Sequence, residues 1–236
     1  MKRSCRCLDI NFASPCMNVT QAVLARRSTR DFLPDPVPHE LVREVLELSA
    51  RAPSGGNLQP WHLDVVAGTA LNDLHRHVRA MLADVTSAQY PVYPPNLGEP
   101  YRTYRYRVGE ALYGRLGIGR EDKAGRGAWF AHNYEGFGAP LMVFFSIDRN
   151  MGALQWGDLG LYLQTAMLLF QERGFATCPQ AAWATIGRSL EGWLHLPTHR
   201  MLAFGLAVGR ARSDSPVNQL KTERAPLDHF ARFHGR

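Results

Sequence analysis

Three arginines stand close together at Arg26, Arg27 and Arg30, with Ser28 between them. Guanidinium groups this near one another repel unless an anion or acidic side chains neutralise them. Arginine suits phosphate because its planar fork donates two hydrogen bonds at once, and the Ser28 hydroxyl adds another donor. The chemistry on offer is a grip on a phosphorylated ligand. The same cluster also reads as a solvated basic helix end, favoured by the helix dipole. A second segment, Pro53-Ser54-Gly55-Gly56-Asn57-Leu58-Gln59-Pro60-Trp61, combines glycines that let backbone approach a ligand with Ser54 and Asn57, which address a heterocycle rim as donor or acceptor. It equally serves as a plain helix-to-strand connection. A third, Thr177-Cys178-Pro179-Gln180-Ala181-Ala182, leaves backbone N–H groups free at a helix start, where they can face developing negative charge. It too has a plain reading, a strand-to-helix turn.

Other reactive side chains carry weaker signals. Of four cysteines, Cys5, Cys7 and Cys16 lie near the start without a matching Cys/His pair, so neither a metal site nor a disulfide framework is expected. The compartment reads as reducing and cytoplasmic. Cys178 reads as a small buried residue rather than a redox thiol. His62, His132 and His195 are candidate acids, but no neighbouring carboxylate is evident for any of them, and structural or surface roles are expected.

These segments need elements to hold them. A helix begins at Asn18 or Thr20 and ends at the arginines; Pro34, Pro36 and Pro38 then force extended chain. Leu41, Val45, Leu48 and Ala52 recur at helical spacing. His62 to Val66 reads as a strand and Gly68 to Ala83 as a surface helix. Tyr90 to Tyr101 carries four prolines and reads as a loop, followed by an Arg- and Tyr-rich helix from Arg102 to Leu116. Leu141 to Ile147 and Met201 to Val208 are buried strands. Leu154 to Arg173 is a long apolar helix closed by Gly174, and Ala181 to Leu190 a helical turn or short helix. Ser213 to Arg236 reads as a long excursion from the core. Strands alternating with more numerous helices make the fold class α+β, a central sheet wrapped by helices.

Size and composition bound the function. A chain of 236 residues that is 45% hydrophobic buries a proper core, which excludes the disordered class. No apolar run reaches membrane-spanning length, so no membrane partner is expected. The formal charge is +6, yet no helix-turn-helix or single-strand-binding motif accompanies it, so nucleic acid is not the expected partner. A polyanion would engage the stretch Arg102 to Arg107. Residues 1–16 start basic but lack the apolar run of a signal peptide. They read as a loose tail, with Met17 as an alternative start, and residues 17–236 as one domain with a lid insertion at about 90–130.

Taken together, Arg-x-Ser-x-Arg, the Pro-Ser-x-x-Asn-x-Gln-Pro-Trp segment, the glycine-closed helix before a proline-led turn and the late Arg224-Ala225-Pro226 resemble the nitroreductase family of FMN enzymes. Tyr-Arg-x-x-Arg in the middle and Trp156-Gly157-Asp158-Leu159-Gly160 resemble its bacterial nitrobenzoate-reductase branch. The resemblance implies a mixed, mainly antiparallel sheet in an intertwined homodimer whose sites draw on both subunits. It implies FMN, with NAD(P)H as co-substrate, and ping-pong transfer of two electrons to a small aromatic, nitroaromatic or quinone acceptor. The same flavin fold also serves enone reduction, dehalogenation and flavin cleavage. By the resemblance, Arg26, Arg27, Ser28 and Arg30 grip the FMN phosphate, ribityl chain and pyrimidine edge. Arg224 reaches the phosphate, with Lys221 a loosely placed helper. Pro53, Ser54, Gly55 and Asn57 come from the other subunit. Asn133 lies near the pyrimidine edge, and Gln180, Ala181 and Ala182 turn backbone N–H groups to the ring. Some relatives carry Glu-Gly where this chain has Ala181-Ala182, a change that bears on acceptor choice.

Overall fold

The computed structural model describes residues 17–81 and 88–235. The reading of residues 1–16 as a loose tail, and the expected helix end at Ala83, lie outside the described residues.

Four strands form one sheet: β1 (His62–Ala67), β2 (Leu141–Asp148), β3 (Ala176–Gln180) and β4 (Arg200–Gly209), in the order β1-β2-β4-β3. All three pairings are antiparallel. Among the described residues, the parallel component is a single bridge between Ser28 and Thr177. The sheet is therefore mainly antiparallel, as the resemblance implies.

β2 reads Leu-Met-Val-Phe-Phe-Ser-Ile-Asp and is buried along nearly its whole length. Side chains alternate across a strand, so its two sets serve two cores. Val143, Phe145 and Ile147 pack with α2 (His39–Ser49) and α6 (Ala153–Glu172), against Leu41, Val45, Tyr162 and Phe170. Met142 and Phe144 pack on the opposite face with α3 (Gly68–Met81), Trp183 and α7 (Gly187–Trp193). A continuous apolar strand is what a sheet covered on both faces requires.

Two elements contribute little to either core. Helix α4 (Tyr101–Arg115) buries none of its residues, and neither does α5 (Lys123–Ala131). Both belong to the expected lid. Helix α1 (Val19–Ala25) starts at a capping box between Asn18 and Gln21 and leaves Val19, Val23 and Leu24 exposed. The expected helical turn from Ala181 to Leu190 divides into a 3₁₀ segment, Ala181–Ile186, and α7.

Candidate active site

The arginine segment is docked on the edge of the sheet. β3 is an edge strand, and its Pro179 has no N–H to offer the ladder, a position where proline is tolerated. The chain after α1 pairs at Phe32 with Ala211 and, before that, meets the start of that edge, with the Thr29 N–H donating to the Thr177 carbonyl at 3.0 Å. This contact carries Arg26 to Arg30 to the mouth of the Cys178–Ala182 turn.

Asn218 closes the arrangement from the tail, a role that sequence reasoning missed. It is buried, and its Oδ1 accepts from the Arg30 N–H at 2.8 Å. Its Nδ2 donates to the carbonyls of Asp31 at 2.8 Å and Arg212 at 3.0 Å, and its own carbonyl accepts from Arg27 Nη1 at 3.3 Å. One amide thus joins the arginine loop to the C-terminal excursion. An asparagine in an aperiodic tail gives no sequence signal for this.

The resulting electrostatics are lopsided. Arg26 is half-buried, and its pKa is lowered first by burial and then by the like charge of Arg224. Arg224 Nη1 donates to the Thr222 hydroxyl at 2.6 Å and to the carbonyls of Thr222 and Glu223. Arg30 Nη1 folds back on the Ser28 carbonyl at 3.3 Å. Among the described residues, none of Arg26, Arg27, Arg30 and Arg224 has a carboxylate within ion-pair distance, although Asp31 and Arg212 pair beside them at 3.2 Å. Four guanidinium groups without a carboxylate partner are a donor set of the kind that suits an anion.

The turn after β3 is fixed by its own side chains. Gln180 is buried, and its Nε2 donates to the Asn133 carbonyl at 2.7 Å and to Asn133 Oδ1 at 3.3 Å. Its Oε1 accepts from the Trp183 indole at 3.3 Å. Asn133 Nδ2 donates to the Phe130 carbonyl at 2.8 Å. Gln180 and Asn133 therefore hold each other in place. No side chain caps the 3₁₀ segment that begins at Ala181; Ala181 is exposed and Ala182 half-buried.

The Pro53–Asn57 segment stands apart. It rests on α6 through hydrogen bonds from the Gly55 N–H to Asp158. Neither large cavity includes it: one of about 880 Å³ lies between α4 and the tail and includes Tyr104, Arg107, Lys221, Arg224 and Phe230. The other, of about 510 Å³, includes Arg30, Asp31, Trp129 and Phe137. Within one chain, then, the arginine cluster, the Ala181 turn, Asn133 and Arg224 are brought together, and Pro53, Ser54, Gly55 and Asn57 are not.

The histidines and the cysteine separate cleanly. The expectation that no carboxylate neighbours the histidines is wrong for two of them. His62 Nε2 lies 3.8 Å from Asp148, and His132 Nδ1 lies 3.1 Å from Glu135. The partners come from distant β2 in the first case and from the next helical turn in the second. His195 is exposed at a positive φ of 53°. Cys178 is fully buried, and burial pushes its thiol up to about 11.

A model of the nitroreductase family matches residues 23–210. The chain belongs to the nitroreductase family. It is 34% identical over 213 residues to a 4-nitrobenzoate reductase of Pseudomonas putida, covering 90% of this chain and 94% of that one. Among solved structures it is similar to NfnB of Sphigopyxis sp. strain HMH, described as an FMN and NADPH-dependent nitroreductase. The TM-score is 0.90 at 42% identity, over 93% of this chain and 100% of that one. NfnB of Mycobacterium smegmatis, solved in complex with NADPH, gives a TM-score of 0.87 at 32% identity over 92% and 100%. In this nitroreductase-family chain the segments that carried the resemblance lie at the β3 edge, in and against α6, in α4 and in the tail.

Proposed function

We propose that this chain is an FMN-dependent oxidoreductase that takes reducing equivalents from NAD(P)H and delivers them to nitroaromatic or similar small aromatic acceptors. The observation that carries the reading is the set of four arginines without a carboxylate at the edge of β3. Burial and then the like charge of Arg224 lower the pKa of Arg26; like charges so placed call for an anion between them, and a phosphate monoester supplies it.

On this reading Arg26, Arg27 and Arg224 hold the FMN phosphate, with Lys221 near the tail arginine. Ser28 and Arg30 face the ribityl chain and pyrimidine edge. Arg30 keeps a fixed positive charge there because Asn218 and the Ser28 carbonyl hold its backbone and side chain. Ala181 and Ala182 offer uncapped N–H groups to the ring, oriented by the Gln180–Asn133 pair. Bound there, FMN supplies two-electron transfer between a reduced nicotinamide and an oxidised acceptor. No protein nucleophile is required, and a buried Cys178 with a raised pKa provides none.

The Pro53–Asn57 loop serves the site of a second protomer. Helix α6 supports this: it is apolar around most of its circumference, yet Leu154 and Leu161 are exposed, and a helix of that kind is ordinarily covered. Val19, Val23 and Leu24 of α1 extend the same demand. A homodimer answers it and brings the loop to the neighbouring arginine cluster. The lid of α4 and α5 bounds the acceptor space.

The deciding experiment is reconstitution of the purified chain with FMN, followed by anaerobic titration with NADPH and NADH. The expected result is one flavin per protomer, bleached by the nicotinamide and re-oxidised by 4-nitrobenzoate or a quinone. Protein that takes up no FMN overturns the reading.

A further inference from the structure

One buried carboxylate holds the Pro53–Asn57 loop. The Gly55 N–H lies 3.3 Å from Asp158 Oδ1 and 3.2 Å from Oδ2. Asp158 is 4% exposed, and among the described residues no cation pairs with it. A buried carboxylate is costly without donors, and one whose partner is a single backbone amide does little for stability by itself. It does fix a position. Gly55 lies close on α6: a Cβ there would meet Leu154 Cδ2 at 3.1 Å, a tight contact.

Beyond this anchor the loop is strained. Gly56, Asn57 and Gln59 all have positive φ, at 57°, 56° and 51°. Two of these are not glycine, and such conformations cost free energy and persist only where their surroundings over-determine them. Here the Gln59 N–H donates to Ser54 Oγ at 3.0 Å and the Asn57 N–H to the Ser54 carbonyl at 2.9 Å. Pro53, Asn57 and Leu58 are nevertheless exposed. The loop is outward-facing and tied at its inner end to one side chain. That side chain sits on α6 between Leu154 and Leu161, roughly one helical turn from each, and both are exposed.

We infer that Asp158 is a positioning residue: through the Gly55 amide it sets the loop that closes the partner's flavin site, and it does so from the same helix that carries the exposed apolar stripe. Flavin affinity and subunit association are thereby linked through α6. The inference rests on the proposed reading that this loop crosses to the second protomer.

The test compares the full-length chain with Asp158→Asn and Asp158→Leu, each reconstituted with FMN. The Asn Oδ1 still accepts from the Gly55 N–H; Leu fills similar space and accepts nothing. Asp158→Leu is expected to weaken FMN binding about tenfold or more, the scale of one charge-assisted hydrogen bond. It should also weaken dimerisation in sedimentation and alter the visible circular dichroism of bound FMN. Asp158→Asn is expected to recover affinity to within about threefold of the native chain. A purely structural role would lower Tm while leaving FMN affinity, its visible dichroism and the conservative rescue unmoved. Hydrogen exchange in the native protein is expected to show the Gly55 amide protected, and this measurement stands even if the Leu variant does not fold. The inference is overturned if a folded Leu variant binds FMN like the native chain, if Asn is as damaging as Leu, or if the Gly55 amide exchanges freely. Failure of the native chain itself to bind FMN would instead bring down the proposed function, and this inference with it.

Discussion

At the residue scale the arginines make the sharpest demand. Arg224 is exposed and its guanidinium is tethered only by neutral oxygens of Thr222 and Glu223. Its replacement by Ala should therefore cost the ligand and not the fold. Arg224→Ala is expected to raise the FMN dissociation constant by about 10- to 100-fold, following the ~1.5–3 kcal/mol of a hydrogen bond to a charged group. Flavin fluorescence quenching measures it, and Arg224→Lys should fall between, keeping the charge but losing the fork. The buried acids give a pH prediction. The Cys178 thiol is raised from 9.0 to about 11 and the Tyr90 hydroxyl from 10.0 to about 12, both by burial, and Tyr162 is raised for the same reason. A raised folded-state pKa favours the protonated form, so this stabilisation is complete below the unfolded value and is lost as pH climbs towards the folded one. Tm should be insensitive to these groups at neutral pH and should fall between pH 9.0 and about 11. Cys178→Ala should flatten that first decline in a thermal melt series; an unchanged slope would assign the decline to the tyrosines.

At the scale of elements, β4 and the turn after β3 are built into one another. A Cβ on Gly205 would meet Trp183 Cδ1 at 2.6 Å and Nε1 at 2.9 Å. The indole lies on the strand backbone, and the same indole donates to Gln180 Oε1. Gly205→Ala is expected to destabilise the fold by about 1–3 kcal/mol through overpacking, read as the midpoint shift in urea. Displaced Trp183 should also loosen the Gln180–Asn133 pair, so the variant should bind FMN more weakly even while folded. Much of this element layout was legible beforehand. Apolar runs and helical spacing placed β2, β4, α2 and α6 to within a few residues, because burial on both sheet faces leaves a continuous hydrophobic signature. The covering of Gly205 by Trp183 was not legible, since a glycine inside a strand looks the same whether it marks a bulge, a bend or a packed ring.

The whole molecule raises the question of what covers α6 and α1. Leu154 and Leu161 are 66% and 47% exposed, and Val19 and Leu24 are 75% and 79%. A charge placed in that stripe should oppose burial against a second copy without disturbing the core of a single chain. Leu161→Glu is expected to shift sedimentation towards the monomer and, if the Pro53–Asn57 loop crosses to a second copy as proposed, to release FMN in parallel. A monomer that retains FMN at native affinity would place the whole flavin site within one chain. The shallow packing of α4 belongs to the same scale: none of its residues is fully buried, which leaves surface for an assembly or a ligand to cover.

The sequence by itself determined the fold class and the family. These are local properties: the order of Arg-x-Ser-x-Arg, the glycine-rich turn and the apolar periods all lie within short windows of chain. Only the tertiary structure decided that Asn218 joins the arginines to the tail, that Gln180 and Asn133 are spent on each other, and that Asp158 anchors a loop 103 residues away. Each depends on a hydrogen bond between groups far apart in the chain, and a lone polar residue carries no trace of its partner until the backbone has brought the two together.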